Sequence, residues 1–375
     1  MQPIYLDYNA TTPVDPAVAE AMQPYIAMHY GNPSSGHAFG RKAKEAVEEA
    51  RARVAALLGC TSEEIIFTGG GSESNNAVLK GVAYTYRQQG NHIITSQIEH
   101  PAIINPCRFL EGQGIRVTYL PVDRVGMVDP DDVRKAITPR TILISIMHAN
   151  NETGTLQPIA EISRIAREHG VLVHTDAAQS VGKIPTLVDE LGVDFLSIAG
   201  HKVYAPKGIG ALYIRGGISI EPLIHGAGHE FGRRAGTENV IFDVGLGKAC
   251  AVAKADLPRY QREVCQLRDL FQQELEKRFG DRIVLNGHPE QRLPNTLNVN
   301  FRGVIGAELL EKLPEIAAST GAACHSGEVE LSSVLKAMGV PEELGMGAVR
   351  FSLGRYTTRE EIERAVELIE RAFRT

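Results

Sequence analysis

Three segments of this chain carry residue types that could act together on one small molecule. Gly200-His201-Lys202 follows the apolar run 195–198, and His174-Thr175-Asp176-Ala177-Ala178-Gln179 continues the run Val171-Leu172-Val173. A lysine at a strand exit can form a Schiff base with an aldehyde. An aspartate at a neighbouring strand exit can hold a pyridine nitrogen protonated. The third segment, Thr68-Gly69-Gly70-Gly71-Ser72-Glu73-Ser74-Asn75-Asn76, follows Ile65-Ile66-Phe67 and opens a helical pattern through Ala77, Leu79 and Val82. Its glycines let backbone N–H groups approach an anion, and Ser72 adds a hydroxyl where the helix dipole favours negative charge. Amine, acid and phosphate cradle are what a pyridoxal 5'-phosphate enzyme needs. Each piece alone also has an ordinary structural reading, as a solvated strand-end lysine, a turn or cap aspartate and a glycine-rich turn. The glycine spacing fits neither a nucleotide P-loop, which ends in Lys-Ser/Thr, nor a dinucleotide fingerprint.

For these groups to meet, the elements carrying them must converge. Short apolar runs predict strands at 65–67, 92–95, 116–120, 142–147, 171–174, 195–198 and 211–214, alternating with helical stretches such as 72–87 and 159–168. Continuous apolar strands with helical crossovers imply an α/β fold whose mainly parallel central sheet is flanked by helices. In such sheets ligands gather at the carboxyl ends of the strands, and Ser72, Asp176 and Lys202 each follow an apolar run directly. Beyond about residue 260 the texture changes. Charged amphipathic helices are predicted at 260–279 and 358–373, the second burying Ile362, Ala365, Val366, Ile369, Ala372 and Phe373 on one face. Between them lie a strand at 296–301 and a Gly/Ala/Ser-rich stretch at 319–327. The expected organisation is a large cofactor-binding domain over 15–260 and a smaller α+β domain formed by 1–14 and 261–375.

Composition narrows the function classes. The 375 residues include 39 basic and 45 acidic side chains, a formal charge of −6, with no basic block; a nucleic-acid partner is not expected. The longest apolar strings are of strand length, too short to cross a bilayer, and the opening residues lack the pattern of a secretion signal. The five cysteines are scattered, odd in number and never in a C-x-x-C pair. That argues against disulfides or structural zinc and for a reducing, cytoplasmic setting. Cys60, Cys107, Cys250 and Cys265 sit in apolar or helical context, as buried small hydrophobes do. Cys324 lies in Ser319-Thr320-Gly321-Ala322-Ala323-Cys324-His325-Ser326-Gly327, whose small residues suggest an exposed, mobile loop where a thiol can act as a nucleophile.

The chain also resembles a known family. Asp7-Tyr8-Asn9-Ala10-Thr11-Thr12-Pro13, Gly31-Asn32-Pro33-Ser34-Ser35, Glu99-His100, Asn150-Asn151-Glu152-Thr153-Gly154 and Arg234-Ala235-Gly236-Thr237 occur in order. They are similar to motifs of class V aminotransferases, and within them of the cysteine desulfurases and the related selenocysteine lyases. The resemblance runs from about residue 5 to 370 and implies a fold type I pyridoxal phosphate homodimer. It implies that Lys202 carries the Schiff base and moves the Cα proton, that Asp176 pairs with the ring nitrogen and that Gln179 bonds the ring hydroxyl. His100 would stack on the cofactor and could move a proton. Gly71, Ser72 and His201 would hold the phosphate, with Thr237 reaching in from the other subunit. Asn151 and Arg355 would bind the substrate carboxylate. One departure is Ala199, where the family commonly has a phosphate-binding serine.

On this reading L-cysteine becomes L-alanine, and its sulfur leaves as a persulfide on Cys324 for a sulfur acceptor such as an iron–sulfur scaffold. The alternative is a selenocysteine lyase acting on L-selenocysteine and releasing selenide, towards which Gly321-Ala322-Ala323-Cys324-His325-Ser326 and Ala199 lean. Glu99-His100-Pro101-Ala102-Ile103 leans towards the desulfurases. An aminotransferase would have no use for Cys324, and a non-catalytic relic would not keep every chemical residue.

Overall fold

The structure is a computed structural model that describes residues 3–320, 324–325 and 328–374, with side chains for 3–320 and 330–373. In chain order its strands are β1 (Ile4–Tyr5), β2 (Ile65–Thr68), β3 (His92–Ser96), β4 (Arg116–Leu120), β5 (Thr141–Ser145), β6 (Leu172–Asp176) and β7 (Phe195–Ala199). There follow β8 (Gly210–Ile214), β9 (Ile283–Asn286), β10 (Thr296–Phe301), β11 (Ile316–Ala317), β12 (Cys324–His325), β13 (Glu328–Val329) and β14 (Ala348–Ser352). The seven strands expected from apolar runs are β2 to β8, each within two residues of its expected limits.

These seven form one sheet in the order β2-β8-β7-β6-β5-β3-β4. All pairings are parallel except those of β8, which runs antiparallel to both β2 and β7. Two reversals cancel, so β2 points the same way as β6 and β7. The three segments of interest therefore leave the sheet at one edge. Every residue of β2, β3, β5, β7 and β8 is buried, as both-face coverage by helices requires.

A second, antiparallel sheet of order β14-β10-β9 has its own apolar cluster, with Phe271, Phe279, Phe301, Phe351, Ile362 and Ile369 at its centre. Tyr8 and Leu6 join that cluster from the start of the chain, where β1 pairs with β11. Of these strands only β10 was expected; the apolar run of β9 is just Ile283-Val284-Leu285, and Arg350 interrupts that of β14. One helix, Val240–Phe279, spans 40 residues, where only its second half was expected. Its first half packs on the helix Ala38–Leu58 so closely that a Cβ on Gly247 would lie 2.5 Å from Ala50 Cα. Small residues there make close approach possible and leave no amphipathic signature.

Candidate active site

A cavity of about 350 Å³ opens at the edge where β2, β6 and β7 end. Gly71, Ser72 and His201 line one end, and Asp176, Gln179 and Lys202 line the floor. His100 and Asn151 face it from two further loops, so eight of the eleven residues expected from sequence meet in one place.

The cradle is built by the turn after β2. Gly70 takes φ 145° and ψ 179°, a conformation that side chains at Cβ exclude, and the helix Gly71–Thr85 starts beside it. Thr68 Oγ1 and Ser74 Oγ lie 2.9 Å apart, and the Gly69 N–H donates to Glu73 Oε2 at 2.8 Å. With the turn fixed in this way, the first N–H groups of the helix point into the cavity end, where the dipole favours an anion. A Cβ on Gly71 would sit 3.3 Å from Ala199 Cβ, so Ala199 walls the cradle from below. His201 pairs through Nδ1 with Thr11 Oγ1 at 3.2 Å. Burial, with Lys202 adding, pushes it down to about 4, leaving a neutral imidazole beside the cradle.

Lys202 ends a single turn, Gly200–Lys202, that directly continues β7. The chain's first residues strap this turn: His201 O accepts from Thr12 N at 2.9 Å and Thr12 Oγ1 at 3.0 Å. Burial lowers the Lys202 amine to about 8 despite the pull of Asp176. At pH 7 roughly a tenth of such amines are free, against roughly one in three thousand at the ordinary lysine value. Asp176 is held by Asn75 Nδ2 at 2.7 Å and the Ala178 N–H at 2.9 Å. Gln179 Nε2 donates to Asn9 O at 3.0 Å. His100 caps the helix Pro101–Glu111, its Nδ1 accepting from the Ala102 N–H at 3.1 Å. Nδ1 is thus the acceptor nitrogen of a neutral ring, and the proton sits on Nε2. Burial, then the Lys202 charge, lowers its pKa and keeps it neutral.

Arg355 is not at the cavity. Its guanidinium pairs with Asp15 at 2.6 Å and Asp256 at 3.1 Å, over the Tyr204 ring at 4.4 Å. Two carboxylates neutralise it, and it ties the start of the chain to the long helix. Arg350, on β14, does line the cavity; it donates to Asn151 O at 3.1 Å and pairs with Asp7 at 2.8 Å, with Nε unpartnered. Thr237 is exposed and does not line this chain's cavity. Where a loop was expected, Cys324–His325 pairs by backbone with Glu328–Val329; the Cys324 side chain lies outside the described residues. Among the described cysteines Cys107 and Cys250 are buried, whereas Cys60 and Cys265 are only half-buried.

Arg350, Asn75 and Asn9 were not anticipated. Asn75 stands one helical turn beyond Gly71, on the face that Gly71 presents, which is the one local signal that could have found it. The donor set fits pyridoxal 5'-phosphate: an anion cradle with unshared N–H groups, a fixed carboxylate and a buried amine with lowered pKa. Among the described residues no cluster suited to a metal ion is present, and no helix is long and apolar enough to cross a membrane.

The comparisons agree with this geometry. The sequence profile of the aminotransferase class-V family matches residues 4–365. A protein of Dictyoglomus turgidum named cysteine desulfurase IscS is 53% identical over 98% of this chain and 94% of its own length. One of Methanosarcina thermophila with the same name is 50% identical over 98% of this chain and 91% of its own. Among solved structures, a NifS-like protein superposes with a TM-score of 0.94 at 39% identity, covering all of both chains. SspA in complex with cysteine gives 0.83 at 39% identity, covering 94% of this chain and 99% of its own. By profile, sequence and structure together, the chain belongs to the aminotransferase class-V family of pyridoxal phosphate-dependent enzymes, in the branch of the cysteine desulfurases.

Proposed function

We propose that this chain converts L-cysteine to L-alanine and takes the sulfur onto Cys324 as a persulfide, for delivery to an acceptor protein serving iron–sulfur cluster or thiocofactor assembly. The observation that carries the reading is the convergence of Lys202, Asp176 and the Gly71 helix start on one amino-acid-sized cavity, with Arg350 and Asn151 on its wall.

Pyridoxal 5'-phosphate supplies, when bound, a sink for the electron pair released at the substrate Cα. Gly71, Ser72 and His201 hold its phosphate, and Thr237 of a second copy completes the cradle. Asp176, held in place by Asn75, would pair with the ring nitrogen, and Gln179 would donate to the ring hydroxyl. Lys202 is the attachment point. As a free amine it would be a base with a pKa low enough to take and return the Cα proton near neutrality. His100 offers its Nε2 proton at the cofactor face. Arg350 and Asn151 grip the α-carboxylate, a bidentate pairing that also orients the substrate. The Cys324 thiolate then attacks the substrate sulfur. An S–S bond forms as the Cβ–S bond breaks, and the electron pair stays with the carbon fragment, which gains a proton and leaves as alanine. Burial pushes Cys60, Cys107 and Cys250 up to about 12, and none of them lines the cavity, which supports Cys324 as the nucleophile.

The smaller unit, 1–14 and 261–375, carries Arg350 and the Cys324 hairpin, and the larger is 15–260; the separate apolar cluster of the smaller one supports that division. Exposed Ile26, Met28, Tyr30, Phe39 and Phe231 support a homodimer. The scattered cysteines support a cytoplasmic setting. Ala199 favours a second reading, selenocysteine lyase. Alanine formation by the loaded enzyme under reductant, with kcat/KM compared for L-cysteine and L-selenocysteine, separates the two. Cysteine is expected to be turned over at least as well, and Cys324→Ala to lose at least about 100-fold in that activity. A selenocysteine preference of several orders of magnitude, or full activity without Cys324, would sink the desulfurase reading.

A further inference from the structure

Lys183 is 2% exposed and has no carboxylate partner among the described residues. Its Nζ lies 3.0 Å from Gln179 Oε1 and 3.2 Å from Asn9 Oδ1. An ammonium buried against two neutral oxygens is costly. Burial pushes the amine far below the ordinary lysine value, and Lys202 and Arg350 add repulsion. A neutral amine has two N–H groups, and two acceptors stand beside it.

The arrangement bears on Gln179, four residues earlier. The two ends of a carboxamide are nearly equal in size, so only its partners decide which end faces the cavity. Here Nε2 donates to Asn9 O, which can only accept, and Oε1 is turned to Lys183. Asn9 is itself fixed: its Nδ2 donates to Thr296 Oγ1 at 2.9 Å, and its Oδ1 also accepts from Asn295 Nδ2 at 2.9 Å. The second N–H of Gln179 Nε2 is the free donor of a side chain that lines the cavity.

We propose that Lys183 is a positioning residue that locks the Gln179 carboxamide with its nitrogen, not its oxygen, towards the ring oxygen of the cofactor. Without Lys183, Oε1 becomes a buried acceptor with no donor, and the amide, losing one of its two anchors, no longer holds its free N–H fixed towards the cavity. The inference rests on the proposed contact between Gln179 and the ring hydroxyl.

The readout is the pH midpoint of the visible absorption band of the loaded enzyme, where the nitrogen joining the cofactor to Lys202 loses its proton. With that proton present, the ring oxygen already accepts from it; with the proton gone, the oxygen depends on an outside donor. A fixed Gln179 N–H therefore favours the deprotonated form, and losing it raises the midpoint. Lys183→Met, Gln179→Ala and the double variant are titrated side by side. Each single variant is expected to raise the midpoint by about half a pH unit to one, the worth of one hydrogen bond. The double variant is expected to match Gln179→Ala alone, because the lysine acts through the amide. A midpoint moved by Gln179→Ala but not by Lys183→Met overturns the role of Lys183 and leaves the Gln179 contact standing. Neither variant moving it overturns both. Should Lys183→Met fail to fold, Lys183→Ala, which leaves room for water, takes its place in the same comparison.

Discussion

At the scale of single residues, the two arginines near the end of the second sheet divide binding from structure. Arg350 lines the cavity with an unpartnered Nε, while Arg355 is neutralised by Asp15 and Asp256. Arg350→Ala is expected to raise KM for L-cysteine about 10- to 100-fold, the worth of a charge-assisted pair. Arg355→Ala is expected to lower Tm and leave KM within about twofold, since it strands two carboxylates away from the substrate. Steady-state kinetics and melting curves on both variants check the division, and a KM effect confined to Arg355 reverses it. Ala199 permits a gain instead of a loss. Its Cβ lies against the cradle, so Ala199→Ser places a hydroxyl beside the phosphate and should tighten the cofactor by about 1 kcal/mol or more, roughly fivefold. Titration of the apoenzyme measures it. Lys202, Asp176 and the glycine turn were legible in the sequence because each directly follows an apolar run. Arg350, Asn9 and Asn75 were not. Asn9 reaches Thr296, 287 positions away, and bonds between such distant segments leave no periodic trace in either one.

At the scale of elements, the parallel strands were legible for a physical reason: a strand covered on both faces must be apolar throughout. The strands β9 and β14 were not, because the apolar run of β9 is only Ile283-Val284-Leu285 and that of β14 is broken by Arg350, which turns to Asn151 and Asp7. The first half of the helix Val240–Phe279 was hidden by its own packing. Gly247, which reads as a helix breaker, is where two backbones come nearest. That contact sets helix propensity against sterics. Alanine is the better helix former by about 1 kcal/mol, yet a Cβ at 247 would meet Ala50 Cα at 2.5 Å. Overpacking of that kind costs about 1–3 kcal/mol, and Gly247→Ala is expected to destabilise the chain despite the propensity gain. Urea unfolding reads the sign directly, and a more stable variant contradicts the close crossing.

At the scale of the whole molecule, buried groups of opposite kind shape stability against pH. His148 and His174 are pushed to about 4 by burial. Their contribution is whole above 6.5 and is lost as pH falls towards 4. Glu99 and Glu152 are pushed up to about 8 and about 7, again mainly by burial. Theirs is whole below 4.5 and is lost as pH rises. Between 4.5 and 6.5 these two pairs offset one another. From 7 to 8 Lys183 and Lys202, whose amines burial holds below the ordinary lysine value, add stability as pH rises. Against them Glu99 contributes a fall of about 1.4 kcal/mol per pH unit. Glu99→Gln should remove that slope and uncover the acid loss due to the histidines. Urea melts of wild type and Glu99→Gln from pH 5 to 8 test it, and identical slopes between 7 and 8 are the contrary result. The strap at the start of the chain has a consequence in time. Asn9 bonds Ser352, Asp7 pairs with Arg350, and both contacts span 343 positions, while Thr12 closes over His201. On the ribosome Asp7 and Asn9 emerge early and wait for Arg350 and Ser352 until nearly the last strand has been made. A nascent chain released before residue 350 would own the lysine, the aspartate and the glycine turn, yet lack the Ser352 and Arg350 contacts that complete the hold on its amino-terminal end. Cofactor capture should accordingly be among the final events of biogenesis, in step with completion of the chain and not with folding of the central sheet.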